Sequence, residues 1–334
     1  MPRINVRVPG GEPLFDLTSY GRGGPARRDR LSPAEIALIA RTVHRAPEVM
    51  VKVLTKGSNN LPAVANHVGY IGRNGTLAIE TDEGEQRRHP KLAEELIEHW
   101  NLDLEDYRRQ RQLSAGMGRK SVKLIHKLVL SMPAGTASEG LMRAARQFLH
   151  DEFAGKHRYA FAMHTNEPHP HVHAVVKSVS EQGNRLRIDK RTLHRWREQF
   201  AKHLRAEGIE ANATPRAVRG ESRKSKHDAI FRAARRGAST QIHREERALL
   251  CELSQGAIRV ESGKSRLLST RAKVEAGWSA LSRRLSVEGQ PALAEAVERF
   301  VRGLPPAWTD KERLAYDLRR RVQARRLQRE SPSR

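Results

Sequence analysis

Cysteine and long apolar runs are both scarce in this sequence. Its 334 residues include a single cysteine, Cys251, so no disulfide can form within the chain, which is typical of a protein of a reducing compartment. Any metal site must therefore use histidine and carboxylate ligands. No run of 18 apolar residues occurs, so we expect no membrane span, and the N-terminus lacks the apolar core of a secretory signal. These absences predict a cytoplasmic protein.

Acidic residues are also few relative to basic ones. Lysine and arginine number 62 against 38 aspartates and glutamates, which gives a formal net charge of +24. A surplus of this size attracts polyanions, so nucleic acid is the first candidate partner and an anionic membrane surface the second. Hydrophobic residues make up 38% of the chain, enough for a core.

Hydrophobic periodicity divides the chain into a mixed part and a helical part. The alternation of Val122, Leu124, Leu128 and Leu130 predicts a half-buried strand. The predicted strands are residues 48–54, 76–80, 121–131, 158–164 and 171–179, with 184–188 as a candidate for a further one. The predicted helices follow Ser32 and Asn60 as N-caps and cover 90–114, 137–153 and 190–207. After about Arg219 strand signals vanish, and several basic helices are expected.

Histidines cluster in the segment HTNEPHPHVH. His171 and His173 are two residues apart, which on a strand places both imidazoles on one face. His164 ends the preceding predicted strand, where its same-face neighbours Ala160 and Ala162 leave room for a metal. Adjacent strands would bring three neutral nitrogen ligands together, and imidazole suits several divalent metals. A histidine-rich surface loop and a structural zinc site are the other interpretations, although zinc would need a fourth ligand.

Tyr70 differs from the other tyrosines in its surroundings. It lies at the end of a predicted helix in NHVGYIGRNG, among glycines that allow a backbone to approach DNA closely. A tyrosine suits strand transfer because its phosphate ester preserves the energy of the broken phosphodiester. Taken alone, such a tyrosine is more often a packing residue.

Three segments together resemble the motifs of conjugative relaxases. PAVANHVGYIGRNGTLAIETDEG resembles their first motif, LVLSMPAGT their second and HTNEPHPHVHAVV their third, in the family's order. TPRAVRG at 214–220 looks like the segment that closes their nuclease domain. The resemblance covers residues 48–220 and is nearest to the T-DNA border endonuclease and plasmid mobilisation nucleases.

This resemblance implies an α+β fold in which helices flank an antiparallel HUH nuclease sheet. Residues 1–47 would be an N-terminal extension, 48–220 the relaxase domain and 221–334 a basic, mostly helical region. By position, Tyr70 is the nucleophile, His164, His171 and His173 are the metal ligands, and Ser131 contacts DNA near the nick. Arg73 and Lys127 are further candidates for DNA contacts, although each is equally well read as a solvated charge.

The group that would orient the metal ligands is left open. Relatives often carry aspartate in the histidine motif where this chain has Asn166, which can offer only a neutral hydrogen bond. The remaining candidates for this or for acid–base roles are Glu80, Asp82, Glu167 and His169.

The resemblance implies a relaxase that nicks one DNA strand at a transfer origin and forms a 5′-phosphotyrosyl link. One divalent metal, Mg²⁺ or Mn²⁺, would serve each site, and no organic cofactor is expected. Single-stranded DNA, an accessory DNA-binding protein and a type IV secretion coupling protein are the expected partners. Export with the DNA to a recipient cell is an alternative to a purely cytoplasmic location.

Two other functions compete with this one. Rolling-circle replication initiators and single-strand transposases use similar HUH chemistry, but there the tyrosine usually follows the histidines, whereas Tyr70 precedes them. A non-catalytic basic DNA-binding protein with a structural metal is the alternative from a different class.

Overall fold

The computed structural model describes residues 5–7, 13–16, 30–54, 59–114, 123–222, 230, 233, 236–256 and 259–330. The chain divides into two compact units. Residues 45–213 form the sheet unit, and residues 1–44 with 214–334 form the terminal unit. None of the described helices is long and apolar enough to cross a bilayer.

Strands in the described residues form two antiparallel sheets. In chain order they are β1 (Asn5–Arg7), β2 (Pro13–Asp16), β3 (Met50–Leu54), β4 (Ile79–Thr81), β5 (Gln86–Arg87), β6 (Ile125–Ser131), β7 (Tyr159–His164) and β8 (His171–Lys177). Strands β1 and β2 pair with each other, and the other strands form a six-stranded sheet in the order β3-β6-β8-β7-β4-β5.

Helices occupy both units. In chain order they are α1 (Pro33–Val43), α2 (Leu61–Ile71), α3 (Leu92–His99), α4 (Leu102–Ser114), α5 (Ser138–Phe153), α6 (Lys190–Ala206), α7 (Thr240–Ser254), α8 (Lys264–Val287), α9 (Pro291–Arg302) and α10 (Asp310–Glu330). The predicted α+β class with an antiparallel sheet and a helical C-terminal region is confirmed.

Helices pack on both faces of the six-stranded sheet. Side chains alternate along each strand, so β7 and β8 send Phe161 and Val172 to one face and Ala162 and His173 to the other. On the first face, helices α5 and α6 contribute Phe148, Trp196 and other buried residues to the larger core. On the second face, helices α2 and α3 pack over β7 and β8.

Side-chain caps fix where two predicted helices begin. The Ser32 hydroxyl accepts from the backbone of Glu35, whose carboxylate accepts from the Ser32 backbone, and this capping box starts α1. The Asn60 side chain accepts from Ala63 N at 2.9 Å and starts α2, the helix that carries Tyr70.

Several details differ from the sequence-based expectations. The helix predicted over 90–114 is broken at Asn101, whose φ of 51° is left-handed. Strand β6 was expected to be half-buried, but both of its faces are covered because helices lie on each side of the sheet. The sixth strand is β5, which the sequence did not predict, while residues 184–188 form only an isolated bridge between Val179 and Arg185.

The terminal unit has its own hydrophobic cluster. Trp278 of α8 is fully buried there, and its indole Nε1 donates to Val218 O at 2.9 Å. Ile39 of α1 and Phe300 of α9 join the same cluster. The N-terminal segment, expected to be irregular before α1, also contains the paired strands β1 and β2.

The two compact units group the ends of the chain together, whereas the sequence analysis gives the ends to separate regions. The sheet unit spans 45–213, against the 48–220 predicted for the relaxase domain. Residues 214–220, expected to close the nuclease domain, belong to the terminal unit because Val218 packs in its cluster. The N-terminal extension and C-terminal region, predicted as separate, share that unit.

Candidate active site

Strand register brings the three predicted ligands together. His164 at the end of β7 pairs with His171 at the start of β8, and Ala162 pairs with His173. Since residues two apart on a strand share a face, all three imidazoles lie on the face covered by α2. Ala162, which has a small side chain, lies beside His173.

The geometry of the three imidazoles suits one metal ion. A ligand nitrogen from each of His164, His171 and His173 lies within 4.8 Å of the others, and no other such group of histidine, cysteine or carboxylate side chains occurs in the described part of the chain. The ring centroids are 4.7 to 5.4 Å apart. Two of the imidazoles are buried, and His171 is half-buried.

Backbone carbonyls orient two of the rings. His164 Nε2 lies 2.9 Å from Ile71 O, and His171 Nδ1 lies 2.9 Å from His169 O. A neutral imidazole that donates through one nitrogen keeps a lone pair on the other, so both rings retain a nitrogen able to bind a metal. His173 Nδ1 is buried and has no hydrogen-bond partner among the described residues. An unpartnered buried nitrogen costs free energy that a bound cation would recover, so the residues fit a metal.

Burial favours the neutral form of His164 and His173. It lowers the pKa of His173 to about 3, with smaller contributions from the neighbouring His164, His171 and His67. Burial also lowers the pKa of His164, against the hydrogen bond to Ile71 O. Because a metal binds the neutral form of histidine, protons do not compete with it for these two residues at neutral pH.

Tyr70 lies beside the histidines. It is in the last turn of α2, whose Val64, Val68 and Ile71 are buried against the sheet. The Tyr70 ring centroid is 5.4 Å from that of His173 and 5.7 Å from that of His164. The side chain is nevertheless 57% exposed, so a large substrate can reach it.

His67 belongs to the same cluster, and the sequence analysis did not single it out. Its ring stacks on Tyr70 at 6.0 Å with an interplanar angle of 16°, and its edge meets His173 at 6.3 Å. Burial lowers its pKa to about 4, and the positive charge of Lys127 adds to the shift. The available signal was spacing, because residues three apart on a helix share a face.

A left-handed turn follows the tyrosine. Arg73 and Asn74 have φ of 48° and 52°, and Gly75 has φ of 86°. At Gly75 a Cβ atom would lie 2.5 Å from the backbone of His89, so only glycine fits. Arg73 is exposed, and its charge contributes to the lowered pKa of His164, which places this predicted DNA contact at the site.

Lys127 and Ser131 occupy the same sheet face on β6. Ser131 pairs with His171, and its hydroxyl donates to Pro170 O at 3.2 Å, which holds the loop before the histidine. Lys127 is buried, and burial lowers its pKa. It makes no ion pair with any described residue, so its charge is available for an anionic ligand.

Two of the candidates for orienting the ligands lie elsewhere. Glu80 pairs with Phe161, so its carboxylate is on the opposite face of the sheet, where Arg146 Nη2 of α5 binds it at 2.8 Å. Asp82 binds Arg158 Nε at 2.7 Å, next to the end of β7 that is remote from His164. Neither carboxylate is placed to orient an imidazole.

The three loop candidates also contribute no side-chain ligand. Asn166, Glu167 and His169 lie in the exposed connection between β7 and β8, and none of them belongs to the metal-binding group. His169 instead contributes its backbone carbonyl to His171. The sequence could not reveal this, because a carbonyl oxygen is present at every residue.

Comparison with known proteins relates part of this chain to one family. Residues 80–209 match the family model for the relaxase, MobA/VirD2-like, nuclease domain. The chain is 25% identical over 226 residues to the T-DNA border endonuclease VirD2 of Agrobacterium fabrum, covering 63% of this chain and 49% of that protein. It is 26% identical over 190 residues to VirD2 of Rhizobium radiobacter, covering 52% and 43%. The chain thus spans about half the length of these curated relatives.

Proposed function

We propose that this chain, whose residues 80–209 belong to the MobA/VirD2-like relaxase nuclease family, nicks one strand of DNA at a specific site and becomes covalently attached to it through Tyr70. The reaction would serve the transfer of DNA from a transfer origin or border, in conjugation or mobilisation. The VirD2 relatives are T-DNA border endonucleases by name, which supports this substrate.

One observation carries the proposal. An exposed phenol lies within 6 Å, between ring centroids, of two of three clustered imidazoles that are otherwise held on a buried sheet face. A packing tyrosine would be buried, and a structural zinc site would use a fourth protein ligand. Three protein ligands beside an exposed nucleophile are what a reaction at a phosphate requires.

His164, His171 and His173 would hold one divalent cation, Mg²⁺ or Mn²⁺. When bound, such a cation polarises a phosphate oxygen and neutralises the charge that develops in the transition state. The ligands are neutral, so the full charge of the cation remains available to the substrate. The carbonyls of Ile71 and His169 fix the orientation of two of the rings.

The protein's own groups would perform the substitution at phosphorus. The Tyr70 phenolic oxygen forms a bond to the scissile phosphorus as the bond from phosphorus to the 3′ oxygen breaks. The phenol gives up its proton, and the departing 3′ oxygen gains one, so the products are a 5′-phosphotyrosyl link and a free 3′ hydroxyl. His67 stacks on the phenol ring and limits its rotation, which keeps the nucleophile oriented.

Further proposals concern partners and location. Single-stranded DNA would be bound by the basic surface, with Arg73, Lys127 and Ser131 near the nick. An accessory DNA-binding protein and a type IV secretion coupling protein would act with the chain. The protein would work in the cytoplasm and leave with its DNA for a recipient cell.

The competing functions are less well supported. A replication initiator or transposase would place its tyrosine after the histidines, whereas Tyr70 is on α2, before β7 and β8. A non-catalytic protein with a structural metal would not need an exposed phenol at the metal ligands.

The decisive experiment is Tyr70→Phe, tested for covalent attachment. Wild-type protein, incubated with Mn²⁺ and a labelled single-stranded oligonucleotide library, should give a labelled adduct that survives denaturing electrophoresis. Tyr70→Phe should retain binding and give no adduct, and EDTA should abolish the adduct of the wild type.

A matched control is available in the same unit. Tyr107 on α4 is also exposed, at 64%, but it is not among the aromatic residues at the histidines. Tyr107→Phe should form the adduct normally. An adduct with Tyr70→Phe, or its loss in Tyr107→Phe alone, would refute the assignment of the nucleophile.

A further inference from the structure

The sheet face that carries the histidines is covered only in part. Over β7 and β8, helices α2 and α3 form a hydrophobic cluster with Ala160, Ala162 and Val175. Among the described residues, that cluster contains none from β3, the strand at the sheet's edge. The described residues therefore leave this face exposed at Met50 and Lys52 of β3.

Register places two β3 side chains in line with the histidines. Met50 pairs with Ser131, which pairs with His171, and Lys52 pairs with Val129, which pairs with His173. Val51 and Val53 alternate with them and pack in the core on the opposite face. Met50 and Lys52 therefore lie on the histidine face, two strand spacings or about 10 Å from the metal-binding residues.

Both side chains are available to a ligand. Met50 is 47% exposed although it is apolar, and Lys52 is exposed. Lys52 has no acidic partner within the described parts of the chain. On the neighbouring strand, Lys127 likewise makes no ion pair with a described residue, so two unneutralised ammonium groups lie between the sheet edge and Tyr70.

We propose that Met50 and Lys52 on the edge strand β3 bind the single-stranded DNA next to the scissile phosphate, with Lys52 on a phosphate and Met50 against a base. The inference rests on the proposed function for the identity of the ligand. The charge pattern supports it, because lysines without acidic partners attract phosphates. The alternation of a cation with an exposed apolar side chain matches a strand that presents phosphates and unstacked bases together.

The first test measures how salt affects DNA binding, using a fluorescein-labelled dT20 oligonucleotide and the full chain. Each phosphate neutralised by a lysine contributes about 0.7 to the slope of log K against log salt for a single strand. Lys52→Gln should reduce the magnitude of the slope by about that amount, and Lys52→Arg should restore it. Lys202→Gln, which changes an exposed lysine on α6, should leave the slope unchanged.

Met50 should behave differently from Lys52. Met50→Ala should weaken binding roughly fivefold at every salt concentration, because it removes apolar contact and no charge. The slope should stay that of the wild type. Circular dichroism of each variant confirms that the fold is intact, which is expected because both side chains are exposed.

Binding to dT20 and covalent attachment separate the two proposals. If Lys52→Gln keeps the wild-type slope and affinity while the wild type forms the Tyr70 adduct, the edge-strand inference is overturned and the nicking function stands. If Lys52→Gln loses slope but no adduct ever forms, the binding surface stands and the proposed chemistry fails. If Lys202→Gln loses as much slope as Lys52→Gln, the binding is diffuse and the inference is wrong.

Discussion

The two faces of the six-stranded sheet bury their polar groups in different ways. On the face covered by α5 and α6, Arg146 binds the buried carboxylate of Glu80. The buried nitrogens Trp196 Nε1 and His126 Nδ1 have no hydrogen-bond partner among the described residues, and they lie on different elements, α6 and β6. On the α2 face, His67 Nε2 and His173 Nδ1 are buried without a hydrogen-bond partner among the described residues.

We infer from this difference that the α5–α6 face mainly stabilises the sheet and that the α2 face carries the proposed chemistry. Buried polar groups are normally partnered, because an unsatisfied one costs about 1–3 kcal/mol. The α5–α6 face follows this rule at Glu80 and provides the packing that stabilises the unit. Both faces depart from the rule elsewhere, but on the α2 face the unpartnered nitrogens belong to two rings 6.3 Å apart, His67 and His173, beside Tyr70. A cation and a phosphate would supply the missing partners there.

The largest expected effect concerns the face of the sheet that α5 and α6 cover. Phe148→Ala should lower the free energy of unfolding by about 3–5 kcal/mol, since it leaves a cavity among Trp196 and Phe200. Urea denaturation followed by circular dichroism measures this loss. The rate of adduct formation per folded molecule should be nearly that of the wild type.

Tyr107→Ala is the control, because that aromatic side chain is mostly exposed and should cost little stability. A Phe148→Ala protein that is stable but inactive would contradict the division between the faces.

The next effect concerns the face of the sheet that carries the histidines. His173→Ala should lower metal-dependent adduct formation by about 100-fold or more. Mutation of a residue that only supports a metal ligand typically already lowers metal affinity or activity by about 10–100-fold. The unfolding midpoint of the metal-free protein should change little, because the variant removes an unpartnered nitrogen along with the ring. Calorimetric titration with Mn²⁺ should show weakened binding.

His126 provides a matched histidine on the other face. It lies on β6, two and four residues before the core residues Leu128 and Leu130, so its side chain is on the same face as theirs. Burial lowers its pKa to about 4. His126→Gln should keep both the metal affinity and the adduct. Equal losses in the two variants would mean that the faces do not differ in function.

The smallest effect is a pH dependence of stability in the absence of metal. His67 has a folded pKa of about 4, below the ordinary 6.5, so only the unfolded chain takes up its proton between these values. Stability contributed by the neutral ring is therefore complete above pH 6.5 and declines as the pH falls toward 4. At pH 5 the loss for this residue is about 2 kcal/mol.

Urea unfolding in EDTA at pH 7.5 and pH 5 measures this decline. The free energy of unfolding should differ less between the two pH values in His67→Gln than in the wild type, because the contribution of this imidazole is removed. Saturating Mn²⁺ should raise the stability of the wild type at pH 7.5, because the cation binds the ligand set of the folded protein. An unchanged pH difference in His67→Gln would show that its imidazole is not held neutral.

Much of the site was predictable because it depends on periodicity. A spacing of two residues puts His171 and His173 on one face of any strand, and the small side chain of Ala162 predicts space beside them. Tyr70 required the resemblance to a family, since nothing in one sequence says which sheet face a helix covers. The confirmed α+β fold likewise followed from alternation and helix caps.

The unpredicted features depend on tertiary contacts. Glu80 was a candidate to orient a ligand, but strand register with Phe161 sends it to Arg146. The groups that do orient His164 and His171 are backbone carbonyls. Because every residue has one, the sequence does not show which carbonyls take this role. His67 carried a spacing signal, but its significance appears only when Tyr70 is placed against the sheet.

The hydrogen bond from His164 to Ile71 O links two parts of the site mechanically. Ile71 directly follows Tyr70, so the same turn of α2 presents the nucleophile and anchors an imidazole. A shift of that turn which withdraws the phenol also releases the ring. If Tyr70 carries DNA as proposed, a pull on the strand would act on the turn of α2 that also holds the His164 ring through Ile71 O.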